Sequence, residues 1–214
     1  MNMTIQERII EGIERSADRQ WRYTKNLLLI KPEYLLTISV ADALTKGFDD
    51  ICGLDLNIKL EESTNGVRGD LLMKAVGWKK YFKTLPIPIT RHGRVDLYVT
   101  HEFSKSSWVI ELKGFDPSIA EINKEIVRLT EFAKANGGTN NCKGCYLAFP
   151  TLTDKNKWIE SILANANSIE QFQFSINSKY INTGEDACDG IPAYYANCIN
   201  FEASSHSQTS AQLL

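Results

Sequence analysis

The sequence predicts an α/β fold, a mixed β-sheet with an antiparallel hairpin core flanked by α-helices. Three observations carry this. Val95, Leu97 and Val99 alternate with Asp96 and Tyr98, and Trp108, Ile110 and Leu112 alternate with Val109, Glu111 and Lys113, with a polar stretch between them, which is the pattern of a hairpin. Ile119, Ile122, Ile126, Leu129 and Ala133 then recur at helical spacing within residues 117–136, and Gly137 follows as a stop. Residues 144–150 read as a short buried strand, so a helix joins the hairpin to a further strand and the sheet is mixed.

The remaining elements follow in chain order. Thr4 and Glu7 have capping-box spacing ahead of a first helix that carries Ile5, Ile9, Ile13 and Ala17 on one stripe. Pro32 suits a helix start, where its missing N–H needs no partner. A second helix is expected over residues 34–46, with Leu35, Ile38, Ala41, Asp42 and Thr45 along mixed faces and Gly47 ending it. Leu54, Leu56, Ile58 and Leu60 alternate with Asp55, Asn57, Lys59 and Glu61, a half-buried strand. Residues 70–83 fit a short helix or an irregular strand rich in Trp78, Tyr81 and Phe82, ended by Pro86 and Pro88. Asp154 caps a helix running to Ala164 with Trp158, Ile162 and Leu163 inward, and residues 172–176 read as a last strand. No repeat or linker divides the chain, so residues 1–202 are expected to form one domain and residues 203–214 a Ser-rich mobile tail.

Composition bounds the function. The 214 residues are 43% hydrophobic and 23% charged, which suits a packed core and excludes disorder. The net charge of -2, from 24 Lys plus Arg against 26 Asp plus Glu, argues against coating nucleic acid by bulk electrostatics but leaves room for a local basic groove. No apolar run is long enough to cross a bilayer and residues 1–20 hold no apolar signal core, so no membrane partner is expected and the cytoplasm is the expected compartment.

The chemistry concentrates in the hairpin. Residues two apart in a strand project the same way, so Glu111 and Lys113 share a face. A symmetric hairpin centred between Phe103 and Ser104 sets Asp96 directly opposite Glu111, whereas a bulge shifts the pairing and turns the face. Two facing carboxylates repel unless something neutralises them. Together with the Leu112 backbone carbonyl they make an all-oxygen donor set of the kind Mg2+ or Mn2+ prefers, with Lys113 placed to serve a water or a developing negative charge. The reaction these groups suit is phosphodiester hydrolysis.

These residues resemble a known family. GRVDLYV at 93–99 followed by WVIELKGF at 108–115 is similar to the core of the PD-(D/E)xK nuclease superfamily, the restriction-endonuclease-like fold. The resemblance runs from about Glu33 to Pro150, with Val95 standing where the family name has Pro. It implies that Asp96 and Glu111 bind Mg2+, with Mn2+ substituting, and that Lys113 assists the attacking water. It also implies a Glu from an upstream helix, for which Glu33 is the best match, although a Glu in a first helical turn is equally well explained by the helix dipole. The substrate the family implies is DNA, with RNA not excluded, in restriction, repair, recombination or phage-defence settings.

Other residues carry weaker signals. Arg91, His92 and Arg94, with Lys79, Lys80 and Lys83, are placed to contact phosphates, and Trp78, Tyr81 and Phe82 to stack on bases, against the plainer reading of solvated charge over an aromatic cluster. Cys142, Cys145, Cys188 and Cys198 invite a zinc site, but the second pair lacks the short spacing of the first, and buried reduced thiols are the better expectation. The rival from another class is a non-catalytic module of the same fold that binds nucleic acid or a protein, alone, as a homodimer or inside a larger complex.

Overall fold

Thr4 donates its N–H to Glu7 Oε2 at 2.6 Å and accepts the Glu7 N–H at 3.2 Å, so the expected capping box starts helix α1 (Ile5–Thr24). A computed structural model describes residues 4–24, 33–52, 56–76, 93–101, 104–136, 142–166, 172–182 and 193–203. After α1 come α2 (Glu33–Cys52), β1 (Leu56–Ser63), α3 (Thr64–Val76), β2 (Arg94–His101), β3 (Ser106–Leu112), α4 (Ile119–Asn136), β4 (Cys142–Thr151), α5 (Asn156–Ala166), β5 (Phe172–Asn182) and β6 (Ala193–Ala203). The strands form one six-stranded sheet in the order β1-β2-β3-β4-β6-β5. Among the described residues only β3 and β4 run parallel, joined by α4 as the crossover, and the other neighbouring pairs are antiparallel.

The sheet is packed on both faces. On one, Ile9, Ile13 and Ala17 of α1 and Leu36, Val40 and Leu44 of α2 meet Leu97, Val99, Ile110, Leu112, Ala148, Ala196 and Cys198. On the other, Val67 and Leu71 of α3, Ile122, Ile126 and Leu129 of α4, and Ile159 and Leu163 of α5 meet Tyr98, Val109, Leu147, Phe149 and Ile199. Helices α1 and α2 cross where Gly12 lies on Val40. A Cβ on Gly12 would stand 2.5 Å from Val40 Cα, so only glycine permits the approach. The fully buried Tyr98 hydroxyl donates to Asp70 of α3 and bonds Ser107 of β3, and burial, the first cause, followed by the bond to Asp70 pushes its pKa up.

Several sequence expectations need correction. Gly47 does not end α2, which continues to Cys52, because glycine lowers helix propensity yet keeps its N–H for the ladder. The buried face of α2 is Leu36, Val40, Ala43 and Leu44; Leu35, Ile38, Ala41 and Asp42 are half-buried and Thr45 is exposed. Residues 64–76 are a helix, begun where Gly66 N–H bonds Ser63 Oγ at 3.0 Å. On α4, Ile119 is 52% exposed, the core stripe beginning instead at Ile122. On α5, Ile159 and Leu163 are buried while Trp158 and Ile162 only flank them. Strand β6 was not expected at all, yet it lies inside the sheet between β4 and β5, anchored by the buried Asn197, whose amide donates to Phe149 O, Thr151 Oγ1 and Tyr195 O. Residues 77–92, including Lys79, Lys80, Arg91 and His92 with Trp78, Tyr81 and Phe82, lie outside the described residues, as do Gly137, Cys188 and residues 204–214.

Candidate functional site

The hairpin register is the symmetric one, from His101↔Ser106 to Leu97↔Ile110, and continued by one position it sets Asp96 opposite Glu111. The ladder pairs stop at Leu97, and the period-two alternation of β2 breaks with them. Leu97 and Val99 face α1 and α2, Tyr98 faces α3, and Val95, which period two assigns with Leu97, instead packs with Tyr98. Across on β1, Glu61 is held at a φ of 50° and is skipped in the β1–β2 register between Leu60↔Leu97 and Glu62↔Val95. The half-buried Asp96 carboxylate turns sideways at this irregularity and accepts the Leu112 N–H at 2.6 Å, while the next N–H, of Lys113, is donated to Ala148 O of β4 at 3.0 Å. Asp96 therefore closes the gap where β2 and β3 part, with its carboxylate held by a strong charge-assisted bond.

Glu111 and Lys113 share a face, as strand geometry requires. Glu111 is 4% exposed, and its Oε1 lies 3.7 Å from Lys113 Nζ. A second carboxylate completes the ammonium's surroundings: Glu125 of α4, also 4% exposed, stands 3.5 Å from Lys113 Nζ and 2.9 Å from Arg128 Nη1. Burial, the largest influence on Lys113, works against its charge, but Glu111, Glu125, Glu33 and Asp96 together outweigh it and hold its pKa above the ordinary lysine value of 10.5. The field of Glu33, exposed in the first turn of α2, thus reaches the same ammonium as the hairpin carboxylates. The ammonium stays charged near neutrality, fit to donate hydrogen bonds and stabilise negative charge.

Glu125 is the residue that hairpin reasoning passes over, although the sequence does mark it. It lies three positions after Ile122 and four before Leu129, on the apolar stripe of α4, where a solvated glutamate does not belong. Its height is set by a capping box: Ser118 N and Oγ donate to Glu121 Oε2 at 2.8 and 2.7 Å, and Ser118 Oγ accepts the Glu121 N–H at 3.3 Å.

The donor chemistry at Asp96, Glu111 and the Leu112 carbonyl is all hard oxygen, which suits Mg2+. Among the described residues, however, no group of three or more His, Cys, Asp or Glu is arranged to hold a metal ion. Arg94, expected to face phosphates, is exposed and paired to Glu61 at 3.0 Å. The four-cysteine zinc alternative fails on geometry for the described members: Cys198 packs on the α1/α2 face of the sheet and Cys145 on the opposite face, so the two cannot share one ion.

No family model, curated protein or solved structure matches the chain. Among the described residues, no helix is long and apolar enough to cross a membrane.

Proposed function

We propose that the chain is a metal-dependent nuclease of the PD-(D/E)xK type, with a restriction-endonuclease-like fold, hydrolysing phosphodiester bonds in DNA. The observation that carries the reading is the meeting of Asp96, Glu111 and Lys113 where β2 and β3 part, two carboxylates and an ammonium at one strand end. Asp96, Glu111 and the Leu112 carbonyl are the groups to hold Mg2+ or Mn2+, supported by Glu33. When bound, the ion supplies Lewis acidity toward a phosphoryl oxygen and acidifies water.

The chain's own groups do the rest. Lys113 donates hydrogen bonds that orient the attacking water and stabilise the negative charge that builds on the phosphoryl oxygens. Glu125 positions Lys113, and Arg128 offsets the remaining charge of Glu125. The Leu112 N–H fixes the Asp96 carboxylate, which makes the strand end rigid in the way a preformed site requires.

The test is cleavage of linear, circular and single-stranded DNA with Mg2+ or Mn2+ by the wild type and by Asp96→Ala. Activity in the wild type alone supports the reading, and equal activity in both removes the site from it. A second reading, a non-catalytic module that binds nucleic acid or a protein, draws on two observations: Lys113 is already engaged by Glu111 and Glu125, and no three-ligand metal group is formed among the described residues. DNA binding with no cleavage under any metal, and no Mn2+ affinity by calorimetry, selects it.

A further inference from the structure

Cys142 and Cys145 are three positions apart, and in a regular strand they would project to opposite faces of the sheet. A β-bulge prevents this. Strand β4 pairs with β3 as Ser107↔Cys142 and then Trp108↔Gly144, so Lys143 is an extra residue and resets the phase of the strand. Cys145 is consequently buried in the cluster beneath α3, α4 and α5, and Cys142 packs against that same cluster. The Cys142 side chain folds back along the bulge, with Sγ 4.0 Å from Gly144 O, and its thiol is hydrogen-bonded with the Cys145 thiol. Both are free cysteines, Cys142 partly exposed and Cys145 buried. The cluster has no part in the carboxylate–lysine site, so nothing argued from it depends on the nuclease reading.

We propose that Cys142 and Cys145 form a thiol–disulfide modification site, in which Cys142 attacks a low-molecular-weight disulfide such as oxidised glutathione and Cys145 resolves the adduct. In the first step the Cys142 thiolate forms a bond to one sulfur of the small disulfide, whose S–S bond breaks, and the departing thiolate takes up a proton from solvent. In the second, Cys145 gives its proton to solvent and its sulfur displaces the small thiolate from Cys142. One protein disulfide is formed and one small disulfide is reduced to two thiols, so electrons and protons balance.

The surroundings assign the roles. Cys142 is partly exposed and Cys145 buried, so a small disulfide reaches Cys142 first, and the hydrogen bond from Cys145, the first cause, lowers the Cys142 pKa. Lys143, the bulged residue, has no partner in the β3–β4 register, and the bridge requires the two sulfurs to close to about 2.05 Å. Cys198 serves as the internal contrast: it is fully buried on the other face of the sheet, and burial pushes its pKa up.

The experiment is to treat the reduced full-length chain with oxidised glutathione, alkylate the remaining thiols and map peptides by mass spectrometry. The wild type and Cys198→Ser are expected to yield a Cys142–Cys145 link two hydrogens lighter and free of glutathione, while Cys145→Ser, or Cys145→Ala if the serine variant unfolds, stops at a Cys142 adduct. A stable Cys142 adduct in the wild type overturns the proposal, as does recovery of both thiols alkylated. Glutathionylation of Cys145 at an undiminished rate in folded Cys142→Ser overturns the assigned order of attack.

Discussion

Glu125 and Lys113 meet at 3.5 Å between helix α4 and the end of β3, both largely removed from water. A lysine on a solvated strand face could be replaced with little effect on stability, but this one sits among carboxylates with its side chain 18% exposed. Removing Glu125 takes the partner from Arg128 and one of two close carboxylates from Lys113, which keeps Glu111 at 3.7 Å, so the loss is about 1–3 kcal/mol. Glu125→Ala, which leaves Lys113 and Arg128 without their shared carboxylate, is expected to lower stability in urea by that order. An unchanged denaturation midpoint would show the pair to be solvated in solution.

Lys113→Met separates stability from chemistry. It is expected to abolish DNA cleavage and also to destabilise the metal-free protein, because Glu111 and Glu125 then face each other's field without an ammonium. Added Mn2+ should restore part of the thermal midpoint through binding to the folded state, without restoring cleavage. Cleavage at the wild-type rate by Lys113→Met would remove the lysine from the reaction.

The hairpin was legible because its information is local: alternation fixes which side chains share a face, and symmetry fixes the register, so Leu97 falls opposite Ile110 as expected. What escaped depends on distant partners. Strand β6 reads poorly because Asn197 and Asn200 interrupt its apolar pattern, and the bonds from Asn197 to Phe149 and Thr151 exist only once β4 is beside it. The buried face of α2 is not assigned by the sequence because aliphatic residues lie on several of its faces, and only packing against Gly12 selects Val40. Glu125 was missed because the acid, acid, lysine spacing is a strand motif, whereas its fourth charged partner arrives from the crossover helix.

The α4 capping box gives a pH dependence of known sign. Bonds from the Ser118 hydroxyl, first, and then the Ser118 N–H hold the exposed Glu121 carboxyl below its ordinary pKa of 4.5. A group whose folded pKa is depressed contributes stability that is present above its unfolded pKa and is lost as pH falls through the folded one. Glu121→Ala is therefore expected to melt below the wild type at neutral pH, with the gap closing in acid below pH 4.5. A gap independent of pH would assign the effect to helix propensity alone.

The Gly12–Val40 crossing tests whether the α1/α2 layer is coupled to the candidate site. Gly12→Ala drives a methyl to 2.5 Å from the Val40 backbone, which a side-chain rotation cannot relieve, so the helices must separate. The expected loss is about 1–3 kcal/mol, typical of overpacking. Because α2 also carries Glu33, the same change should weaken Mn2+ binding by calorimetry if Glu33 supports the ion. A lower melting temperature with undiminished Mn2+ affinity would leave Glu33 as a helix-start residue only.

Asp96 combines two duties that two substitutions can separate. Its carboxylate satisfies the Leu112 N–H at 2.6 Å, and its charge is the one proposed to hold the metal. Asp96→Asn retains an oxygen acceptor for Leu112 while removing the charge, so it should fold with near wild-type stability and fail to cleave DNA. Asp96→Ala removes both and leaves the N–H without its acceptor, a further loss of about 1–3 kcal/mol. Equal stability of the two variants would mean that water replaces the carboxylate at Leu112, whereas cleavage by Asp96→Asn at the wild-type rate would show that the charge is dispensable and would remove Asp96 as a metal ligand.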